Sequence, residues 1–223
     1  MESPGLRERK KQQTRELIAE SARRLFSERG FERVTVAEVA RAADVSQQTV
    51  FNYFPRKEDL VYWRLESFEE ELLATVRDRE PGEPVLAAFG RFLVVQRGLL
   101  ASDDPAAGRR LAAITRMIVE SPALLARERE IFAACTDSLA AAIAAEPGSG
   151  GAVEARVAAG AMIAAHRALV DHARRRIAEG AEPRTIAREV RARGKAAIAL
   201  LERGLGGYAV KRGPGRASPR RAC

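Results

Sequence analysis

The stretch from Thr35 to Lys57 constrains the fold more than any other, because it combines two helix starts and a tight turn. Thr35 followed by Glu38 matches a capping box, in which each side chain hydrogen-bonds the backbone N–H of the other residue. Asp44 stands where the chain must turn, and aspartate tolerates the left-handed backbone better than most residues. Ser46 is then a typical N-cap. The pattern predicts a helix-turn-helix.

The two predicted helices have distinct inner and outer faces. Apolar residues at helical spacing are expected to pack inwards: Val36, Val39, Ala40, Ala43, Val45, Val50 and Phe54. The outward positions of the second helix carry no carboxylate: Gln47, Gln48, Thr49, Asn52 and Tyr53. A helix that exposes amide and hydroxyl groups is suited to reading base edges in the major groove of DNA. The pattern therefore predicts a DNA-binding segment.

This segment closely resembles the N-terminal domain of TetR-type (TetR/AcrR family) transcriptional regulators. The resemblance covers roughly the first quarter of the chain and rests on residues at fixed spacing: Gly30-Phe31, Thr35-Val36, Val39-Ala40, Ala43, Val45-Ser46, Thr49-Val50-Phe51, Tyr53-Phe54 and Lys57-Glu58-Asp59-Leu60. Two positions depart from it, since Asp44 and Gln48 stand where that family usually or often has glycine. The resemblance implies that Tyr53 and Lys57 clamp DNA phosphates.

The candidate DNA-binding residues divide by chemistry. Gln47, Gln48 and Asn52 are the candidates for base edges, because amides can pair with donors and acceptors in the major groove. The candidates for phosphate contacts are Thr35, Ser46, Thr49, Tyr53 and Lys57. A cation at the start of a helix opposes the helix dipole, so Lys57 fits best if an anion also binds there.

Composition and spacing favour an all-α fold. Apolar residues make up 46% of the chain and aromatic residues 5%, and residues 81–206 read as helices between Pro- and Gly-containing breaks, without strand alternation. We predict a three-helix helix-turn-helix DNA-binding domain with a basic arm over residues 1–56. A helical effector-binding and dimerisation domain would follow over 57–206, and a basic tail, expected to be disordered, over 207–223.

The formal net charge of +8 favours an anionic partner. The tail carries cations and no acid: Lys211, Arg212, Arg216, Arg220 and Arg221. It is either a solubilising segment or a second DNA-contacting arm. A basic lead-in at the other end is suited to a phosphate backbone or a minor groove, or is simply a solvated helix start: Arg7, Arg9, Lys10, Lys11 and Arg15.

Two long helices predicted over 152–179 and 183–205 are suited to dimerisation. The first is apolar nearly all round its middle, which requires burial on two sides, and the second has close to heptad spacing. Two such helices from each subunit would form a four-helix bundle with twofold symmetry, and TetR-type regulators dimerise this way. The candidate interface residues are Ala161, Ala165, Ala168, Ile198, Leu201 and Leu205.

The middle helices offer a candidate site for a small apolar molecule. Aromatic and methionine side chains could line a cavity there, with an arginine or a histidine as polar anchor. The candidate ligand-binding residues are Phe89, Phe92, Arg116, Met117, Phe132 and His166. The alternative for each of them is an ordinary place in the core. The resemblance to TetR-type regulators favours a cavity.

Catalysis, metal binding and cofactor chemistry are disfavoured. His166 and His172 lie six residues apart on one predicted helix and cannot share a metal as an i,i+4 pair could. Cys135 lies among apolar positions, as a buried small hydrophobe does. Neither a disulfide framework nor a signal peptide nor an apolar run of membrane length is present, which predicts a cytoplasmic protein without a membrane partner.

The leading hypothesis is a homodimeric transcriptional regulator of double-stranded DNA. It would be a repressor that a small, largely apolar effector releases from a palindromic operator. The alternative is an effector-free dimer that binds DNA constitutively or architecturally. A small molecule that shifts both thermal stability and operator binding would separate the two.

Overall fold

The structure is a computed structural model that describes residues 5–95, 106–146 and 148–205; within these ranges the side chains of residues 6–8, 64–67 and 205 are not described. These residues form an all-α fold, which confirms the predicted fold class. The helices are α1 (Leu6–Arg29), α2 (Val36–Ala42), α3 (Gln47–Tyr53), α4 (Asp59–Arg77), α5 (Val85–Val94), α6 (Ala107–Glu120), α7 (Pro122–Ala144), α8 (Ala152–Ala178) and α9 (Pro183–Leu205). No helix among them is long and apolar enough to cross a membrane.

The described residues pack into two compact units, neither of which is continuous in sequence. Unit 1 comprises residues 5–68 and 109–131, and unit 2 comprises the remainder. Helices α4, α6 and α7 therefore contribute residues to both units. The predicted functional division at residue 56 stays a prediction, and the packing units have other bounds because residues of α6 and α7 join the core of α1–α3.

Unit 1 has one apolar core beneath the helix-turn-helix. Five of the predicted inward residues are less than 9% exposed in this core, together with Ile18, Phe26, Tyr62, Ile118 and Leu124: Val39, Ala40, Ala43, Val50 and Phe54. The other two, Val36 and Val45, are partly buried and pack against it. The Tyr62 hydroxyl donates a hydrogen bond to the Leu124 carbonyl at 3.0 Å. This bond replaces the hydrogen bond to water that the phenol loses when it is buried. The start of α4 and the start of α7 are thus joined within this unit.

Unit 2 is built mainly from α5, α8 and α9. Helices α5 and α9 approach closely at Gly90, where an added Cβ would lie 3.3 Å from Ile198. A side chain there would be in tight contact with Ile198, which would have to shift slightly in a packed interior that leaves little room to adjust. Ile198, predicted at a dimer interface, is 8% exposed and is thereby already enclosed within its own chain.

A buried ion pair closes the end of unit 2 formed by the α4–α5 loop and the end of α7. The Arg79 guanidinium is fully buried and pairs with both carboxylate oxygens of Glu146. It also donates to the carbonyls of Val76, at 2.6 Å, and Glu83, at 3.0 Å. A buried charge is tolerated only when it is paired and hydrogen-bonded in this way.

We expect Glu146→Ala to lower the free energy of unfolding by about 3 kcal/mol, because it leaves the Arg79 charge buried without its partner. Urea denaturation would measure the change. Asp137→Ala is the matched control, since it breaks an ion pair with Arg156 whose side chains are both more than half exposed, and it should cost less than about 1 kcal/mol. Equal losses in the two variants would contradict the role given to Arg79.

Candidate nucleic-acid interface

The start of α2 is fixed by the predicted capping box. The Glu38 N–H donates to the Thr35 hydroxyl at 3.3 Å, and the Thr35 N–H donates to the Glu38 carboxylate at 2.8 Å. Arg29, at the end of α1, also contacts this carboxylate, at 2.7 Å. The hydrogen bonds from Thr35, with the help of Arg29, lower the pKa of Glu38 from 4.5 to about 2. The box therefore joins α1 to α2 as well as capping α2.

The turn between α2 and α3 has the geometry that the sequence predicts. Asp44 has a φ of 53°, the left-handed conformation that few residues other than glycine adopt. The Val45 N–H then donates to the Ala40 carbonyl at 3.0 Å, which closes the turn. The Ser46 hydroxyl accepts the Thr49 N–H at 3.0 Å and caps α3. Val50 and Phe54, each 1% exposed, anchor the inner face of α3.

The outer face of α3 is polar and free of carboxylates. Gln47, Gln48 and Asn52 are exposed, as the assignment to base edges requires. The Gln48 side-chain amide donates to the Asn52 amide oxygen at 3.1 Å. Because one donor and one acceptor are satisfied between them, the pair is held together and the remaining amide groups face outwards as a unit.

The candidate phosphate-contacting residues differ in exposure and in the hydrogen bonds that they already form. The Ser46 and Thr49 hydroxyls lie 2.8 Å apart at the start of α3, and Tyr53 is half-buried. The Thr35 hydroxyl already donates to the Glu38 carboxylate, at 2.8 Å. Its hydrogen is thus committed to the capping box.

Lys57 has an aromatic contact that the sequence did not predict. Its ammonium lies 4.1 Å from the centre of the Phe31 ring and 6.0 Å from that of Phe26. Burial lowers the pKa of Lys57, and the carboxylates of Glu32, Glu58 and Glu38 oppose that shift. The cation is held at the junction of α1 and α4, beside the start of α4.

The sequence analysis did not place Phe51 at this surface, and it did not predict the ring contact that Arg15 makes. Phe51 is 41% exposed and lies on the same helical face as Gln47, Gln48 and Asn52; its spacing from Gln47, four residues, could have revealed it. An exposed aromatic ring there is suited to contact a thymine methyl group. The Arg15 guanidinium of α1 lies over the Phe54 ring, 5.5 Å from its centre. Residue spacing along the chain does not predict this contact.

Charged residues of α7 hold the segment that follows the helix-turn-helix. Arg127 donates to the Asp59 carboxylate at 2.7 Å, and Asp59 also accepts the Arg56 N–H at 3.0 Å. Glu130 accepts hydrogen bonds from both Arg127, at 3.0 Å, and Arg56, at 2.6 Å. The segment between α3 and α4 is therefore held by charges that lie far along the chain.

The six candidate ligand-binding residues do not form one described site. Phe89, Phe92, Phe132 and His166 belong to unit 2, and the three phenylalanines are at most 4% exposed. The His166 ring packs against the Phe132 ring edge-on, at 5.6 Å. Arg116 and Met117 belong to unit 1 and line a groove there. As a group, the six stay a prediction.

The candidate dimer residues of α8 lie along a stripe of small and apolar side chains. Ala161 and Ala165 are half-buried and Ala168 is exposed, and Val153 and Val157 extend the stripe with exposures of 73% and 61%. On α9, Leu201 is half-buried and the side chain of Leu205 lies outside the description.

The basic tail over 207–223 also lies outside the described residues.

Two side chains considered for catalysis in the sequence analysis, His172 and Cys135, have structural roles. His172 hydrogen-bonds Glu189 at 3.1 Å, and Arg176 donates to the same carboxylate at 2.9 Å. Cys135 is 1% exposed, and its burial raises the pKa of its thiol to about 12. A thiol with that pKa is not a nucleophile at neutral pH.

Lowering the pH should weaken the α2 cap. The pKa of Glu38 lies below its ordinary value of 4.5 in the folded protein, at about 2, so its charge stabilises the fold above about pH 4.5 and this contribution is lost as the pH falls towards 2. We expect the stability difference between the native chain and Glu38→Gln to shrink between pH 6 and pH 3, measured by urea denaturation. A difference that stays constant over this range would contradict the prediction.

Comparisons with known proteins agree with this geometry. The model of the bacterial regulatory proteins of the tetR family matches residues 18–62. The HTH-type transcriptional regulator TcmR of Streptomyces glaucescens is 34% identical over 128 residues, which are 55% of this chain and 55% of TcmR. The chain thus spans about half the length of this curated relative.

Two solved structures share the fold. NalD, described as the secondary repressor of the MexAB-OprM multidrug efflux pump in Pseudomonas aeruginosa, is 18% identical with a TM-score of 0.51, over 83% of this chain and 97% of NalD. The complex of SmeT with triclosan is 18% identical with a TM-score of 0.51, over 91% of this chain and 99% of SmeT. At this identity the likeness concerns the fold.

Proposed function

We propose a function for this chain on the premise that it belongs, as its sequence resemblance predicted, to the tetR family of bacterial regulatory proteins. It acts as a homodimeric, effector-responsive transcriptional repressor that binds a palindromic operator in double-stranded DNA. The observation that carries this proposal is the outer face of α3, where exposed Gln47, Gln48 and Asn52 present amides without any carboxylate.

Base reading is the role of this amide face. The Gln48–Asn52 hydrogen bond fixes the two side chains before DNA arrives, so less conformational entropy is lost on binding. Ser46, Thr49, Tyr53 and Lys57 hold phosphates on either side and set the register. Lys57 is already placed at the start of α4 by its contact with Phe31.

A palindromic operator requires two copies of α3 related by a twofold axis. The exposed stripe of α8 supports such a dimer, because an apolar surface of this kind favours a partner of the same composition. The two copies of α3 would then lie about 34–36 Å apart, one turn of DNA, or a multiple of it.

Effector control is the finer part of the proposal. Its support is the membership of a family of regulators, together with SmeT, a protein of the same fold that was solved with triclosan. If the effector weakens DNA binding, DNA must weaken effector binding by the same free energy, typically about 1–3 kcal/mol.

Substitutions should separate the two kinds of DNA contact on an operator obtained by selection from a random DNA library. Lys57→Ala should weaken binding about equally on all DNA sequences. It should also lower the salt slope, the slope of the logarithm of the binding constant against the logarithm of the salt concentration, by about one unit. Gln48→Ala or Asn52→Ala should each cost about 1–3 kcal/mol on the best site and change the preferred bases. The double variant should cost less than the sum, because the two amides are hydrogen-bonded to each other.

Arg129→Ala, which removes an exposed cation of α7 outside the candidate interface, controls for net charge and should leave the salt slope unchanged. If Lys57→Ala altered base preference while the amide variants did not, the division of roles would be wrong. If no DNA sequence were enriched by the native chain, the proposed function itself would fail.

The dimer is tested by placing a charge on the α8 stripe. Val157→Glu should give monomers with weak operator binding, because its side chain is 61% exposed in the single chain and would be buried in the pair. Val119→Glu on α6, where the valine is 54% exposed, is the matched control and should stay dimeric. Sedimentation velocity would measure both. A Val157→Glu dimer as tight as the native one would exclude this stripe.

A further inference from the structure

A groove of about 580 Å³ lies within unit 1, between the C-terminal half of α1 with its following loop and one face of α6. All of its lining residues belong to the same compact unit. Its volume falls in the range of small-molecule sites, about 300–1,000 Å³. Two of the residues predicted to bind an effector, Arg116 and Met117, lie in its wall.

The floor of the groove is apolar and partly aromatic. Phe26 and Phe31 meet edge-on with their ring centres 5.2 Å apart, and Ile114 and Met117 are half-buried opposite them. Methionine adapts its shape to a ligand and makes favourable contacts with aromatic rings. These side chains suit a flat apolar body, and an aromatic ring fits that description best.

The rim of the groove is charged, and its positive groups exceed its negative ones. The lining contains the guanidiniums of Arg23, Arg24, Arg33, Arg110 and Arg116 and the carboxylates of Glu20, Glu28, Glu32 and Glu120. Three of the carboxylates are already engaged.

Those three carboxylates have partners within the groove wall. Glu20 pairs with Arg23, Glu28 lies 4.0 Å from Arg24, and Glu32 accepts a hydrogen bond from the Ser121 hydroxyl at 2.7 Å.

Arg116 is the cation best placed to receive an anion. Its side chain is exposed at the groove wall, and it forms no ion pair with any residue that the structure describes. A guanidinium binds a carboxylate through two parallel hydrogen bonds, a geometry that lysine cannot match. Met117, the next residue along α6, places the apolar floor beside this charge.

We propose that this groove binds a small aromatic molecule that carries one carboxylate, with the ring against Met117, Ile114 and Phe31 and the carboxylate on Arg116. The assignment of this molecule as the effector rests on the proposed function; the binding site itself does not. The groove borders the Glu32–Ser121 hydrogen bond. A ligand there touches both α6 and the loop that leads into α2, and so acts directly on the DNA-reading unit.

The test uses two probes of nearly the same shape, 1-naphthoate and the neutral 1-naphthamide, titrated calorimetrically into the full chain. The native chain should bind 1-naphthoate saturably at one site and 1-naphthamide more weakly. Arg116→Gln should weaken 1-naphthoate at least tenfold and leave 1-naphthamide unchanged. Arg129→Gln, an exposed arginine outside the groove, is the matched control and should change neither.

Filling the groove provides a second, independent variant. Ala113 is exposed on the groove wall, so Ala113→Trp should fold with the native thermal midpoint and bind neither probe. The inference is overturned if the native chain shows no saturable 1-naphthoate binding, or if Arg116→Gln binds it as the native chain does. If Ala113→Trp fails to fold, the Arg116→Gln comparison still decides.

The failure of this inference can be told apart from the failure of the proposed function. Operator selection with the ligand-free native chain tests DNA binding alone. If the native chain binds a selected operator but not 1-naphthoate, the groove proposal is wrong and the DNA-binding proposal stands. If it binds 1-naphthoate but selects no DNA, the DNA-binding proposal is wrong and the groove proposal stands.

Discussion

The direction in which α3 points depends on the left-handed backbone of Asp44. With Asp44 at a φ of 53°, the chain turns between α2 and α3 within residues 43–46, and the Val45 N–H donates to the Ala40 carbonyl. Ser46, two residues after Asp44, then caps α3. Because the turn is this short, its backbone hydrogen bonds leave α3 little freedom to rotate, and the amide face is presented in one orientation.

The local signals of this unit could be read from the sequence because they act over few residues. The Thr35–Glu38 box, the Asp44 turn and the Ser46 cap each use contacts within five positions, so residue type and spacing were sufficient. The inner face of α3 followed from periodicity alone, and Val50 and Phe54 are buried as expected. The same reasoning gave helix bounds within about two residues for α8 and α9, since Pro and Gly mark their ends.

Contacts between distant segments could not be read in this way. The bond between Ser121 and Glu32 spans 89 positions and that between Arg79 and Glu146 spans 67, and no periodic pattern encodes such pairs. For the same reason the predicted ligand set joined residues that the fold divides between two units. Lys57 was predicted to bind a DNA phosphate beside the start of α4, and that stays a prediction. Its contact with the Phe31 ring was not predicted, because only the tertiary structure brings that ring near.

The discontinuity of unit 1 has a consequence for how the protein is made and how it can be cut. The core beneath the helix-turn-helix includes Ile118 and Leu124, which leave the ribosome well after Phe68. A nascent chain that ends there still exposes the apolar surface those residues will cover. A helix-turn-helix fragment moved into a chimera therefore needs residues 109–131 along with 5–68, joined by a new linker, to keep this core covered.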